Sequence, residues 1–259
     1  MEVHEWATRI LGADTLEDKL FCPPILTDHC PGPASFWNEP TRPKGMELQR
    51  RRNKSEKLPP FHTLDHPDNR AVCLHRFAGH ELLAVEIMAH ALVAFPEAPP
   101  HFRKGLVHTL KDEQRHVRLY IERMEALGLR FGDLPLYRHF WNHVKYLTSP
   151  IRYVSTMSLT FEMANLDFAP MYGESFARYE DKDSADLMAT ILHDEIAHVS
   201  FGMHWLKKFK APEEGTWDAW TKAQSDLLSP NRAKGFLVHS DHRRAAGVPE
   251  DWIRRFEEL

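Results

Sequence analysis

Asp112-Glu113-Gln114-Arg115-His116 and Asp194-Glu195-Ile196-Ala197-His198 share one pattern, Asp-Glu-x-x-His, eighty-two positions apart. A single Glu-x-x-His arises by chance about once or twice in a chain of this make-up, whereas two copies that both carry the leading Asp are expected fewer than about 0.01 times. Residues three apart lie on one face of a helix. Glu113 and His116 fall between Leu110 and Val117, and Glu195 and His198 between Ile191 and Val199, so both pairs sit in apolar stripes. A glutamate turned toward a helical core is costly unless it is paired or binds a metal.

Outward from these segments the pattern is helical. Val72, Phe77, Ala78, Leu82, Val85, Met88, Ala89, Leu92 and Phe95 follow the spacing of one long amphipathic helix, stopped by Pro96, Pro99 and Pro100. A second runs from Leu106 to Leu127, with Gly128 as its terminating glycine. A connection with its own short helix (about 134–147) leads to Ser149-Pro150, which reads as a cap and first turn. The third helix extends to about 167, and Pro170 and Gly173 are expected to break or kink it. A fourth covers about 183–210, with shorter helices near 214–228 and 249–258. No β-alternation is evident. The expected fold is all-α, a four-helix bundle with one long crossover. Its divisions are an irregular, proline-punctuated N-terminal arm over 1–66, the bundle over 67–210 and a C-terminal helical extension over 211–259.

Two Glu-x-x-His pairs, with one glutamate from each of the other two helices, make up the ligand set of ferritin-like di-iron carboxylate proteins. The third helix offers Glu162; the first offers Glu81 and Glu86. Spacing favours Glu81, because 81 to 113 and 162 to 195 are nearly equal separations while 86 to 113 is shorter. In an antiparallel hairpin, level residues are equidistant from the turn. The midpoint of 81 and 113 is 97, inside the proline-rich turn, and that of 162 and 195 is 178.5, near the expected break. The predicted ligands are Glu81, Glu113, His116, Glu162, Glu195 and His198. Four carboxylates and two imidazoles suit two iron ions, or a manganese–iron pair, better than zinc in a thiolate site. By analogy, Glu113 and Glu195 bridge while Glu81 and Glu162 are terminal. Asp112 and Asp194 are candidates to accept a hydrogen bond from the histidine of the opposite hairpin and fix its tautomer. Tyr120, four after His116, is a candidate redox-active tyrosine or hydrogen-bond donor; packing is its plain alternative. Gly202, four after His198, either leaves room for oxygen or substrate or, as the plainer alternative, serves packing. Glu86 reads as an ion-pair partner, and His80 and His193 as neighbours of the ligands.

Composition narrows the classes. With 33 Lys and Arg against 37 Asp and Glu, the net charge is −4, which argues against a dedicated nucleic-acid binder while leaving room for a local basic patch. One such run, Arg50-Arg51-Arg52 with Lys54, reads as a solvated surface. Three cysteines at Cys22, Cys30 and Cys73 have no metal-ligand spacing and imply no disulfide framework. No apolar run of membrane-spanning length and no secretory leader pattern at Met1-Glu2-Val3-His4-Glu5 are seen, so a cytoplasmic location without membrane contact is expected. The 17 histidines are many, yet only the two spaced with acids point to chemistry.

The chain also resembles a known family. Leu74-His75-Arg76-Phe77-Ala78-Gly79-His80-Glu81-Leu82, Asp112 to His116, Gly132-Asp133-Leu134-Pro135, Phe161-Glu162 with Leu166-Asp167, Asp194 to Val199, and Asp241-His242-Arg243-Arg244-Ala245-Ala246-Gly247 are similar to bacterial ferritin-like proteins called domain of unknown function 455. More distantly the chain looks like the tRNA-hydroxylating branch of ferritin-like enzymes. His80 departs from the family's pattern, standing where an apolar residue is expected. The resemblance implies a ferritin-like fold and says little about substrate.

The expected function is that of a di-iron or manganese–iron oxidoreductase that activates O2 to hydroxylate or oxidise a small organic substrate. An electron-donor protein and a second copy of the chain are its expected partners. Iron handling or peroxide detoxification is the alternative within metal chemistry, and a structural or binding protein with a stabilising metal site the alternative outside it.

Overall fold

A computed structural model describes residues 1–49 and 57–259; the basic run Arg50–Lys54 lies outside the described residues. The fold is all-α. Among the described residues, ten α-helices are joined by loops and short helical turns, and the only sheet is a two-residue parallel pair, β1 (Leu48–Gln49) with β2 (Leu136–Tyr137). The chain divides into two compact units, Met1–Val144 and Lys145–Leu259.

In the first unit, α1 (Val3–Gly12) buries Trp6, Ile10 and Leu11 and packs on α3 (Pro67–Ala94). Between them, α2 (Leu16–Leu20) starts where Thr15 Oγ1 accepts from the Asp18 amide at 3.1 Å. α3 and α4 (Pro100–Ala126) form a hairpin around the proline-rich turn, each with a proline in its first turn, where the missing N–H costs nothing. α4 ends as the sequence predicts: Gly128 takes φ +88°, its amide bonds Glu125 O at 2.9 Å, and the Leu129 amide bonds Met124 O at 3.1 Å. That is a Schellman ending, which needs a left-handed residue at this position. The N-terminal arm is fastened to α3 by charge. Glu86, fully buried, meets Lys19 Nζ at 2.9 Å and Arg42 Nη2 at 2.5 Å. Asp28 grips Arg103 with two contacts of 2.7 Å.

α3 corrects one expectation. It is long and apolar enough by length and composition to cross a membrane, but 89% of its most apolar window is buried within the protein. Its hydrophobicity is that of a core helix.

In the second unit, α5 (Pro150–Thr156) runs into a six-residue π turn, Met157–Glu162, and continues as α6 (Met163–Arg178). Ser149 precedes α5 in extended conformation, but its hydroxyl makes no capping bond. α6 pairs with α7 (Lys182–Phe209), whose start is capped by Asp181 accepting from the Ser184 amide at 3.0 Å. α8 (Thr216–Ala223), α9 (Ser240–Ala245) and α10 (Glu250–Glu258) follow. Pro170 does not end its helix; α6 runs eight residues beyond it. A proline removes the hydrogen bond to the carbonyl four residues earlier. Here that carbonyl, Leu166 O, lies 3.1 Å from His242 Nδ1, which must therefore donate. One residue on, fully buried Asp167 binds Arg243 at 2.5 and 2.9 Å and accepts the Gly235 and His239 amides, both at 2.8 Å. The C-terminal segment thus supplies what the interrupted helix lacks.

The connection expected to be helical over about 134–147 is instead β2 followed by a 3-10 turn at Trp141–Tyr146. The helix expected over 214–228 stops at Ala223, and that over 249–258 is α10.

Candidate metal centre

Each unit gathers one half of the predicted ligand set. In the first, Glu81 comes from α3 and Glu113 and His116 from α4, with exposures of 7%, 1% and 0%. The i, i+3 spacing turns both α4 residues to one side, between fully buried Leu110 and Val117, as their positions in the stripe require. The three side chains each offer an oxygen or nitrogen within 4.8 Å of the others, and His116 Nδ1 lies 3.2 Å from Glu113 Oε2. Metal–donor bonds of about 2.0–2.3 Å put two ligand atoms at most about 4.6 Å apart, so one ion fits with little movement. Buried carboxylate oxygens beside an imidazole form a donor set able to hold a divalent metal ion.

In the second unit, Glu162 closes the π turn and Glu195 and His198 come from α7; all three are buried. Glu162 and His198 offer ligand atoms within 4.8 Å of each other, and His198 Nδ1 lies 3.6 Å from Glu195 Oε2. Asn165 Nδ2 donates to Glu195 Oε1 at 2.8 Å. Sequence reasoning missed Asn165, although it stands three after Glu162 and so on the same helical face. The bond orients Glu195 and leaves its second oxygen toward His198.

The surroundings sort the other candidates. Glu86 is the ion-pair partner its spacing suggested, bound to Lys19 and Arg42. Asp112 and Asp194 are half-buried; Asp112 meets Arg115 at 3.2 Å and His108 at 4.0 Å on its own helix. Tyr120 is buried with its ring 5.7 Å from Phe77. Half-buried His80, next to Glu81, packs against His139 at 4.7 Å and Phe140 at 5.1 Å, so an aromatic wall stands beside Glu81. His193, in contrast, is exposed.

Gly202 does not provide the open space expected of it. A Cβ there would stand 2.5 Å from Ser158 Cβ and 3.0 Å from Leu159, so the missing side chain is filled by the π turn. Its role is close helix approach.

Two buried histidines away from the ligands are held neutral. Burial first, and then the Arg76 charge, lowers the His75 pKa to about 4; burial alone lowers that of His90 to about 4. His75 Nε2 accepts the Gly132 amide at 3.1 Å, which a protonated ring could not do. Burial pushes the Cys73 thiol up to about 12, so it is inert.

Neither the curated proteins nor the solved structures contain a match to this chain. The model of one family, described as protein of unknown function (DUF455), matches residues 6–254, and the chain belongs to that family.

Proposed function

We propose that this protein is a ferritin-like oxidoreductase in which Glu81, Glu113, His116, Glu162, Glu195 and His198 hold two iron ions, or a manganese–iron pair. The observation that carries the reading is the matched pair of half-sets: in each unit a hairpin of long helices buries one glutamate and one Glu-x-x-His pair. Burying two carboxylates twice over would be costly without cations to offset them. When bound, such ions supply O2 activation for oxidation of a small organic substrate.

The chain's own residues define what surrounds that chemistry. Asn165 holds the Glu195 carboxylate in one orientation. Leu110, Val117, Ile191 and Val199, all nearly inaccessible, keep bulk water from the ligands. Tyr120, one turn beyond His116 and screened from solvent, is the residue proposed to donate a hydrogen bond or an electron toward that half-set. Asp112 and Asp194, each adjacent to a ligand glutamate, are proposed to accept a histidine N–H and fix its tautomer.

The test is single-turnover O2 uptake by protein loaded anaerobically with ferrous iron. The proposal predicts about one O2 consumed per two irons and the appearance of ferric absorption. Mineralisation of many irons per chain would replace it with iron handling. Tight metal binding with no O2 uptake would leave a stabilising site.

A further inference from the structure

The π turn Met157–Glu162 lies directly before α6 and ends on Glu162. A π turn has one extra residue in its hydrogen-bonded ring and is rare beside regular α winding, so it persists where something outside the helix holds it. Relaxing it to α winding would turn Glu162 about 100° around the helix axis, off the face it now presents.

The turn is held from two sides. Ser155 O, at its N-terminal edge, accepts Thr160 Oγ1 at 2.7 Å and Trp220 Nε1 at 3.1 Å. The Thr160 hydroxyl, having donated, accepts Gln224 Nε2 at 2.9 Å. Thr156 Oγ1 accepts the Ser225 amide at 3.0 Å. Every residue in this network is buried, so water does not compete for these bonds. On the opposite side, α7 presses Gly202 against Ser158 and Leu159, one turn beyond His198. The run Ser155-Thr156 with Ser158 and Thr160 is unusually rich in hydroxyls for a fully buried helix; the network uses the hydroxyls of Thr156 and Thr160 and the backbone carbonyl of Ser155.

We propose that Trp220, Gln224 and Ser225, acting through the Ser155 carbonyl, Thr160 and Thr156 respectively, are positioning residues that fix the π turn and so set the place of the Glu162 carboxylate. The C-terminal extension is then part of the metal centre's support. This inference rests on Glu162 being a metal ligand.

The test compares the full-length wild type with Thr160→Val, which removes the hydroxyl, and Thr160→Ser, which keeps it. Two quantities are read: hydrogen exchange of amides 157–163 in the metal-free protein, and Co(II) affinity by anaerobic calorimetry. Thr160→Val should exchange at least about tenfold faster over that segment and bind one ion about 10–100-fold more weakly, the range seen when a ligand's supporting partner is lost. Thr160→Ser should restore both. Gln224→Met, which spares the Thr160–Ser155 bond, should shift both in the same direction by less, and it serves if Thr160→Val does not fold. Unchanged exchange overturns the brace. Faster exchange with unchanged Co(II) affinity overturns its link to Glu162. A wild type that takes up no Co(II) instead removes the metal reading itself, independently of Thr160.

Discussion

The α3–α4 and α6–α7 hairpins carry the same ligand pattern across turns placed alike, yet they are built differently. The first is regular. Glu81 sits within 28 uninterrupted α-helical residues, and the strongest fastening is ionic, from the N-terminal arm to Glu86. The second is irregular. Glu162 ends a π turn, Pro170 removes a hydrogen bond eight residues later, and the C-terminal segment meets both defects with Trp220, Gln224 and His242. One glutamate is placed by ordinary helix geometry and the other by outside contacts. The position of Glu162, unlike that of Glu81, should therefore respond to changes in the C-terminal segment, while the overall stability leans more on the ionic fastening of the first hairpin.

The largest effects should come from the buried ion pairs. Glu86→Ala leaves Lys19 and Arg42 without a counter-charge and should cost about 3–5 kcal/mol in chemical denaturation. Arg243→Met strands Asp167, but two backbone amides still bond that carboxylate, so the loss should fall at or below the low end of the same range. If Arg243→Met proved the more damaging, the first hairpin would not be the one that depends on ionic fastening.

Next in size is an acid effect centred on the first unit. His75 and His90 have folded-state pKa values lowered to about 4, against about 6.5 when unfolded. Above pH 6.5 both states are neutral and nothing is lost. Between pH 6.5 and 4 the unfolded chain takes up protons that the folded chain does not, so stability falls as pH falls. The loss approaches about 3 kcal/mol per histidine at pH 4. Denaturation midpoints of wild type and His90→Gln from pH 7.5 to 4.5 should converge as the pH drops; parallel curves would show that His90 titrates normally.

The smallest effects contrast two helical glycines. Gly202→Ala forces a Cβ against Ser158 Cβ and should destabilise by about 1–3 kcal/mol. Gly79→Ala meets only the Leu136 Cδ2 tip at 3.0 Å, which can swing aside, and alanine favours helix by about 1 kcal/mol. It should be within about 1 kcal/mol of neutral. Equal losses at the two sites would remove the distinction between a regular and a tightly clamped hairpin.

Much of this organisation was legible in the sequence. Periodicity and proline punctuation marked the long helices, Gly128 marked an end, and equal separations chose Glu81 over Glu86, whose partners are indeed cations. What could not be read depends on contacts distant in sequence. A π turn uses the same residues as an α turn, so Met157–Glu162 gave no signal of its own beyond its hydroxyls. Pro170 was expected to interrupt its helix because the compensating His242 lies 72 positions further on. Gly202 suggested open space, but whether a missing side chain leaves a cavity or admits a neighbour depends on the opposing helix. Asn165 shares a helical face with Glu162, but an amide is neither the carboxylate nor the imidazole that marks a ligand here, and its bond to Glu195 crosses to another helix.

The central claim is that six side chains, three from each hairpin, bind a pair of metal ions. Its most direct test is the metal content of anaerobically reconstituted protein after desalting, wild type against Glu113→Ala with Glu195→Ala, with helical content checked by circular dichroism. The account predicts two iron ions per wild-type chain and none in a folded double variant. Two ions retained by that variant, or none bound by the wild type, would contradict it.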